Sequence, residues 1–403
     1  MSRPLYIDPA ELDESQKAII NDGYREGRNC VVMGCAGSGK SCIAMAIFID
    51  LCNKGDRKPV IVTKQRSLVN TYLSELLSLA GDEARNYVVN AYSCDRLDWF
   101  SYNQAVNTYE KGIKNGWTFR DVKYWIYWDA TDLLIDEAQD FTQEEMNEIL
   151  DHFDSLQAVH FFGDDNQQIY EGAFGNVPQL SMDKLVAYAE KYGENPLVET
   201  LQTNWRLPAP VARFVDAVDG PEKHLGEKCF GQRTDIPRLL HFQSPGNMLA
   251  VVSQLVRQRK GQFSNYRAAI ICYTCGKCEE VYRALKQEHI ADTDISIVRV
   301  RGALDRNVKN YQDPLGPKTL EGSKIRFFNE IVTTAFSSKG LQYDDVFVIV
   351  DDFVGSRGWS TSTLNVLHVA LTRTEGGLFV CYVNNGVCQP FASVPNRLYK
   401  TEL

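Results

Sequence analysis

A short apolar run, Cys30-Val31-Val32-Met33, meets Gly34 and continues as Cys35-Ala36-Gly37-Ser38-Gly39-Lys40-Ser41. No other stretch constrains the chain as strongly. Gly34-x4-Gly39-Lys40-Ser41 has the spacing of a P-loop, set between a buried parallel strand and the helix that follows it. Gly37 and Gly39 allow a tight turn with backbone N–H groups pointing inward, and the helix starting near Lys40 turns the positive end of its dipole toward an anion. Lys40 is then placed to reach terminal phosphates. Ser41 offers a hydroxyl to Mg²⁺, which prefers oxygen donors. A glycine-rich turn with this spacing by coincidence is the weaker reading, because both flanking elements are present.

The partner motif lies downstream. Thr131 to Asp136 reads as a buried strand ending in acids, Asp136-Glu137-Ala138-Gln139-Asp140. At the carboxyl end of a parallel strand beside a P-loop, Asp136 can hold Mg²⁺ through water and Glu137 can orient or deprotonate an attacking water. Hydrolysis is the chemistry that follows. The blander alternative, that these acids only cap a helix from Thr142 to Phe153, is the weaker reading beside a P-loop. Val159 to Gly163 is another strand, and it runs into a polar loop where Gln167 can sense a terminal phosphate or water.

Around these motifs the chain alternates apolar strands and helical patterns, the βαβ signature of a parallel sheet. Leu12 to Ile20 suggests a helix capped by Asp13, with Gln16 on it. Pro59 to Thr63 and Tyr87 to Ser93 read as strands, and Ser67 to Ala80 as a packing helix. Helical, polar sequence from Ser181 ends at Asn195-Pro196, which reads as a hinge between two lobes. Beyond it, strands are expected at Ala268 to Cys272, Ile295 to Val300, Glu330 to Thr334, Val346 to Val350 and Leu378 to Val383. Helices are expected at Pro210 to Val218, Met248 to Arg259, Cys278 to His289 and Thr363 to Leu371. A second α/β sheet follows. The expected division is 1–195 and 196–403, with a short aromatic-rich insertion at 94–131 and a reduced one within about 290–330. The aromatics of the first insertion, interleaved with Lys111, Lys114, Arg120 and Lys123, suit either a base-stacking surface or a small core, and burial of large aromatics favours the core.

With 403 residues, 44% hydrophobic and 24% charged, the chain has enough apolar sequence for two or three cores. A net charge of −9 means that any nucleic-acid contact must come from a local cleft and not from a generally basic surface. No apolar run is long enough to span a bilayer and the N-terminus lacks an apolar core, so no membrane partner is expected and a cytoplasmic location is. The 11 cysteines then read as reduced thiols. Cys272, Cys275 and Cys278 have metal-like gaps without a fourth ligand nearby, which favours small buried residues over a metal site.

Taken in order, these motifs resemble those of the superfamily-one helicases of the UvrD and Rep type. Gln16 in LDESQKAI resembles that family's adenine-reading glutamine, and GCAGSGKS from Gly34 to Ser41 its first ATP motif, including Ala36 and Ser38. LLIDEAQD from Leu133 to Asp140 resembles the DExQ box, and GDDNQQIY from Gly163 to Tyr170 the third motif, with Gln167 at its γ-phosphate-sensing position. In Asn204-Trp205-Arg206, Trp205 replaces the tyrosine that stacks on adenine and Arg206 matches the first arginine finger. SSKGLQY from Ser337 to Tyr343, with Gly340 and Gln342, looks like the fifth motif. VALTRT from Val369 to Thr374 places Arg373 at the second arginine finger. The resemblance implies two RecA-like P-loop NTPase lobes with mainly parallel sheets and a shared ATP cleft, with ATP and Mg²⁺ as cofactors. It also implies hydrolysis coupled to movement on single-stranded nucleic acid, DNA in preference to RNA.

Three departures bear on that expectation. Where the family continues after Tyr170 with basic and aromatic residues, this chain reads Glu171-Gly172-Ala173-Phe174, leaving Phe174 as the aromatic. Gln342 stands where the family often has a ribose-contacting glutamate. The gaps between Ser93 and Leu133 and between Arg206 and Thr333 are too short for the full inserted subdomains of UvrD-type enzymes. These shortened parts suit an alternative, an ATPase subunit controlling a nuclease or other effector, as the short UvrD-like proteins of anti-phage systems do.

Overall fold

Twelve strands among the described residues form two separate six-stranded sheets, and every neighbouring pair runs parallel. The computed structural model describes residues 7–63, 68, 72, 88–91, 130–151, 153, 155–169, 179–219, 225, 229–231, 233–263, 266–287, 295–298, 330–353, 358–384 and 389–402. The first sheet comprises β1 (Cys30–Gly34), β2 (Pro59–Thr63), β3 (Val88–Ala91), β4 (Asp132–Asp136), β5 (Ala158–Gly163) and β6 (Leu197–Leu201), in the spatial order β3-β2-β4-β5-β1-β6. The second comprises β7 (Arg238–His241), β8 (Ala268–Cys272), β9 (Ile295–Val298), β10 (Glu330–Thr334), β11 (Tyr343–Ile349) and β12 (Thr374–Tyr382), in the order β7-β12-β11-β8-β10-β9.

Near-continuous apolar strands form because both faces of each sheet are covered. In the first, Val32, Ile61, Leu134 and Phe162 face α2 (Lys40–Lys54), the helix that follows the short α1 (Glu14–Ala18), through Ile43, Ile47 and Phe48. Their neighbours Val31, Val60, Leu133 and Phe161 point the other way, onto α3 (Gln143–Leu150) and α4 (Met182–Tyr192) through Met146, Ile149 and Leu185. The second sheet repeats the arrangement. Val346, Val348 and Val380 pack against α5 (Ala209–Asp219) and a helix at Thr361–Leu371, while Ile270, Phe347 and Phe379 face α6 (Pro245–Gln262) and α7 (Cys275–Gln287). Each fully buried Leu, Ile or Phe contributes roughly 1.5–3 kcal/mol to such a core. These are two RecA-like α/β lobes facing one another across a cleft.

The observed elements refine the sequence expectations. Strand β6 pairs with β1 over Cys30↔Leu197 to Gly34↔Leu201, so the first sheet runs past Asn195-Pro196, where the sequence suggested a hinge. Its burial alternates and only Leu201 is fully buried, which is the pattern of an edge strand. The short edge strand β7 was also not expected. The helices α6 and α7 begin earlier than their apolar periodicity, α6 because Ser244 caps it ahead of Pro245. The insertion at 94–129, most of the helix at Ser67 to Ala80, Phe174 and most of 290–330 lie outside the described residues.

Cys272 and Cys278 are buried against each other, with burial and then the Cys278 hydrogen bond raising the Cys272 thiol. Among the described residues, no group of three His, Cys, Asp or Glu side chains is arranged to hold a metal ion, and no helix is long and apolar enough to cross a membrane.

Candidate active site

A cavity of about 400 Å³ opens where the carboxyl ends of the first sheet meet the second lobe. It is lined by Gln16, Ala36, Gly37, Ser38, Gly39, Lys40, Ser41, Glu137, Gln167, Trp205, Arg206, Gly340, Gln342 and Arg373. Of the site residues singled out in the sequence, Gly34 and Asp136 stand just behind this wall. Gly34 ends β1, and its carbonyl accepts from Lys40 Nζ at 2.6 Å. Asp136 ends β4, and its Oδ2 accepts from Ser41 Oγ at 2.7 Å.

The P-loop has the form its glycines dictate. Gly37 and Gly39 have φ of 80° and 93°, in the left-handed region where a side chain is strained, and α2 begins directly at Lys40. Lys40 Nζ turns back onto the carbonyls of Gly34 and Cys35, the latter at 3.1 Å, so its charge stays at the mouth of the loop. Ser41 Oγ and the Asp136 carboxylate form a pair of hard oxygen donors of the kind a magnesium ion takes. Tyr72 also donates to Asp136 Oδ2, at 2.7 Å. Burial and then the neighbouring Glu137 push the Asp136 carboxyl up, opposed by Tyr72, Ser41 and Lys40.

Glu137 itself sits at φ 54°, an uncommon conformation for a residue with a side chain. The turn brings its carboxylate back over the cavity. Gln139 Nε2 donates to Glu137 Oε2 at 2.6 Å, and Gln139 Oε1 accepts from the Asp164 N–H at 3.1 Å, so one amide fixes the acid against the loop that follows β5. Burial opposes ionisation of Glu137, but the Lys339 ammonium, then Lys40, Gln139 and Arg373 outweigh it, and its pKa falls to about 2. An ionised, oriented carboxylate in a cleft can accept a proton or hold a water.

The second lobe supplies cations. Lys339, fully buried, reaches across from the loop after β10 to Asp140 Oδ1 at 2.5 Å, the Gln167 carbonyl at 2.8 Å and Glu137 Oε2 at 3.5 Å. Arg373, at the end of the Thr361–Leu371 helix, donates through Nη2 to Gln167 Oε1 at 3.0 Å, and Gln167 Nε2 donates in turn to Asp164 Oδ2 at 2.7 Å. Burial, then the nearby Arg206, lowers Arg373 to about 9. Arg206 is also pushed down by burial, and its Nε and Nη2 are buried without a hydrogen-bond partner among the described residues. Two guanidiniums held close enough to oppose each other's charge, one with orphaned donors, fit an anion of several charges between them.

The remaining residues close the far end. Trp205 donates its backbone N–H to the Gly37 carbonyl at 2.9 Å and its indole Nε1 to Asp13 Oδ2 at 3.1 Å, and its ring stacks on Phe230 at 4.9 Å. Gly340 and Gln342 enter from the second lobe. Lys339, Gln139 and Tyr72 are site residues that sequence reading missed. Lys339 lies inside the SSKGLQY segment, but nothing local marks it as the partner of acids far away in the chain.

Comparison with known proteins adds the family. No curated protein matches the chain. Among solved structures, the C-terminal domain of a possible DNA helicase from Lactobacillus plantarum WCFS1 is similar to 49% of this chain over 99% of its own length, at 18% identity and a TM-score of 0.33. The family profile described as Schlafen group 3, DNA/RNA helicase domain, matches residues 27–367, most of the chain and the span that holds the P-loop, the acids after β4 and the segment carrying Arg206. The chain belongs to the Schlafen group 3 DNA/RNA helicase domain family.

Proposed function

We propose that this chain hydrolyses ATP with Mg²⁺ between its two lobes, in the manner of the UvrD/Rep type of helicase, and couples hydrolysis to movement on single-stranded nucleic acid. The observation that carries the reading is the meeting of Lys40, Glu137, Gln167, Arg206 and Arg373 around one cavity, with residues from both lobes. The backbone of Gly34 to Ser41 and Lys40 would hold the β- and γ-phosphates, and Ser41 with Asp136 would hold the ion. Bound Mg·ATP supplies the γ-phosphoryl group and the charge neutralisation its transfer needs. Glu137 orients a water and takes its proton at the carboxylate. Gln167 fixes the position of that water relative to Arg373. Arg206 and Arg373 offer donors whose charge-assisted hydrogen bonds draw the second lobe onto the first. Release of those bonds lets the lobes part, and alternation of the two states would move a gripped strand.

Family membership supports DNA or RNA as the partner, and single-stranded DNA is the favoured one. ATP turnover should rise several-fold with single-stranded DNA or RNA, and Lys40→Ala should abolish it while thermal melting stays unchanged. Unaltered turnover in that variant would sink the reading. The short gaps between Ser93 and Leu133 and between Arg206 and Thr333 support a second reading, a nucleotide-controlled switch for a nuclease or other effector. That reading predicts turnover without displacement of an annealed strand, together with co-purification of an effector.

A further inference from the structure

Leu68 and Tyr72 stand four positions apart in the sequence after β2, the spacing of one face of a packing helix. Both are helical, and both are buried in the core shared with α2, at 2% and 0% exposure. Packing accounts for the Tyr72 ring but not for its hydroxyl, since a phenylalanine would fill the same core. A buried hydroxyl takes a partner, and this one donates to Asp136 Oδ2 at 2.7 Å, 64 positions along the chain.

The Asp136 carboxylate offers about four lone pairs. Three are taken by described residues: Oδ2 accepts from Tyr72 and from Ser41 Oγ, each at 2.7 Å, and Oδ1 accepts from the Glu137 N–H at 3.0 Å. Ser41 and Glu137 line the cavity themselves, whereas Tyr72 stands behind its wall. Tyr72 is thus the donor whose place does not depend on what fills the cavity. Its bond fixes the plane of the carboxylate and leaves a lone pair on Oδ1 for an ion or the ion's water.

The same helical face meets the second lobe one turn earlier. Gly340, at φ 78°, lies so close to Leu68 that an added Cβ would stand 3.1 Å from Leu68 Cβ, 3.2 Å from Cδ1 and 3.4 Å from Cγ. Gly340 directly follows Lys339, the cation that reaches Asp140 and Glu137 in the first lobe. A single turn of helix therefore joins the loop that docks the second lobe to the carboxylate beside Ser41.

We propose that Tyr72 is a positioning residue that holds Asp136 for a divalent cation, and that its seat is set through Leu68 by the docked second lobe, so that the ion is held tightly only when the lobes are together. This rests on the reading of the cavity as a triphosphate site. Partners that orient a metal-holding carboxylate from behind are typically worth about 10–100-fold in ion affinity.

The test is titration of a methylanthraniloyl-labelled, non-hydrolysable ATP analogue into the full chain, once with EDTA and once with saturating Mg²⁺. The ratio of the two dissociation constants is the ion's share of binding. Tyr72→Phe, which keeps the ring in the core, should shrink that ratio by about tenfold or more and leave the EDTA constant unchanged. Equal weakening with and without the ion would make Tyr72 a merely structural residue, and an unchanged or larger ratio would remove its part in holding the ion; either overturns the proposal. Leu68→Ala, which removes two of the three atoms facing Gly340 and leaves the Tyr72 hydroxyl in place, should also shrink the ratio, and combining it with Tyr72→Phe should shrink it no further. An unchanged ratio in Leu68→Ala, or additive losses in the double variant, would overturn the link to the second lobe. A wild-type chain that binds the analogue under neither condition would overturn the triphosphate reading instead, which separates the two failures.

Discussion

Lys339 brings a charge from the second lobe into full burial among acids of the first, so most of what it does is lost if it is shortened to a neutral side chain. Lys339→Met leaves Asp140 and Glu137 buried without their nearest cation, a change that costs about 3–5 kcal/mol where buried pairs are broken. Turnover should fall at least about tenfold, and Lys339→Arg should restore part of it. The acid limb of unfolding, followed by circular dichroism, gives an independent check. Glu137 has its folded pKa lowered from 4.5 to about 2, so the stability it contributes is full above about pH 4.5 and lost as pH falls toward 2. In Lys339→Met the folded pKa moves back up toward the unfolded value, so that acid-dependent loss should be smaller and be complete at higher pH. At this scale the sequence was readable wherever spacing along the chain sets the geometry, as in Gly34 to Ser41 or Asp136-Glu137. Lys339 and Asp140 are 199 positions apart, and their pairing is a product of lobe docking that no local pattern encodes.

Among the elements, β5 carries a device of its own. His160 is buried beside β1, and its Nδ1 accepts from the Cys30 N–H at 3.1 Å, which requires the neutral ring. Burial lowers its pKa from 6.5 to about 4, with Asp132 opposing and Arg57 assisting. Between those values the unfolded chain binds the proton and the folded chain does not, so stability falls as pH drops from about 6.5 toward 4, by up to about 3 kcal/mol. Urea unfolding at pH 7.5 and 5 should show the loss, and His160→Asn, which can still accept from Cys30, should flatten it. The strands around His160 were legible because β1, β2, β4 and β5 are apolar on both faces. Strand β6 was not, since Glu199 and Thr200 follow Pro196 and an edge strand keeps polar residues. The residues just past the break marked in the sequence, Asn195-Pro196, form the last strand of the first sheet.

Across the whole molecule, the lobes are joined by a small set of contacts grouped around the cavity. Arg373 reaches Gln167, Lys339 reaches Asp140, Asn365 donates to the Gln168 carbonyl at 3.2 Å, and Ile169 from the first lobe is buried in the core of the second. Closure and site assembly are therefore the same event. Arg373→Ala should reduce turnover by about 10³-fold, the range of an arginine finger, while nucleotide affinity changes far less, as measured by labelled-nucleotide titration. The connection between the lobes passes over the P-loop at Gly37, where an added Cβ would lie 2.6 Å from Arg206 Cβ and 2.8 Å from Asn204 Oδ1. That joint has the clearance of a single hydrogen atom. Gly37→Ala would act as a shim driven under the crossing strand of chain, adding to the strain of a side chain at φ 80°, and small-angle scattering should find the variant propped open, with Arg206 lifted away from the loop.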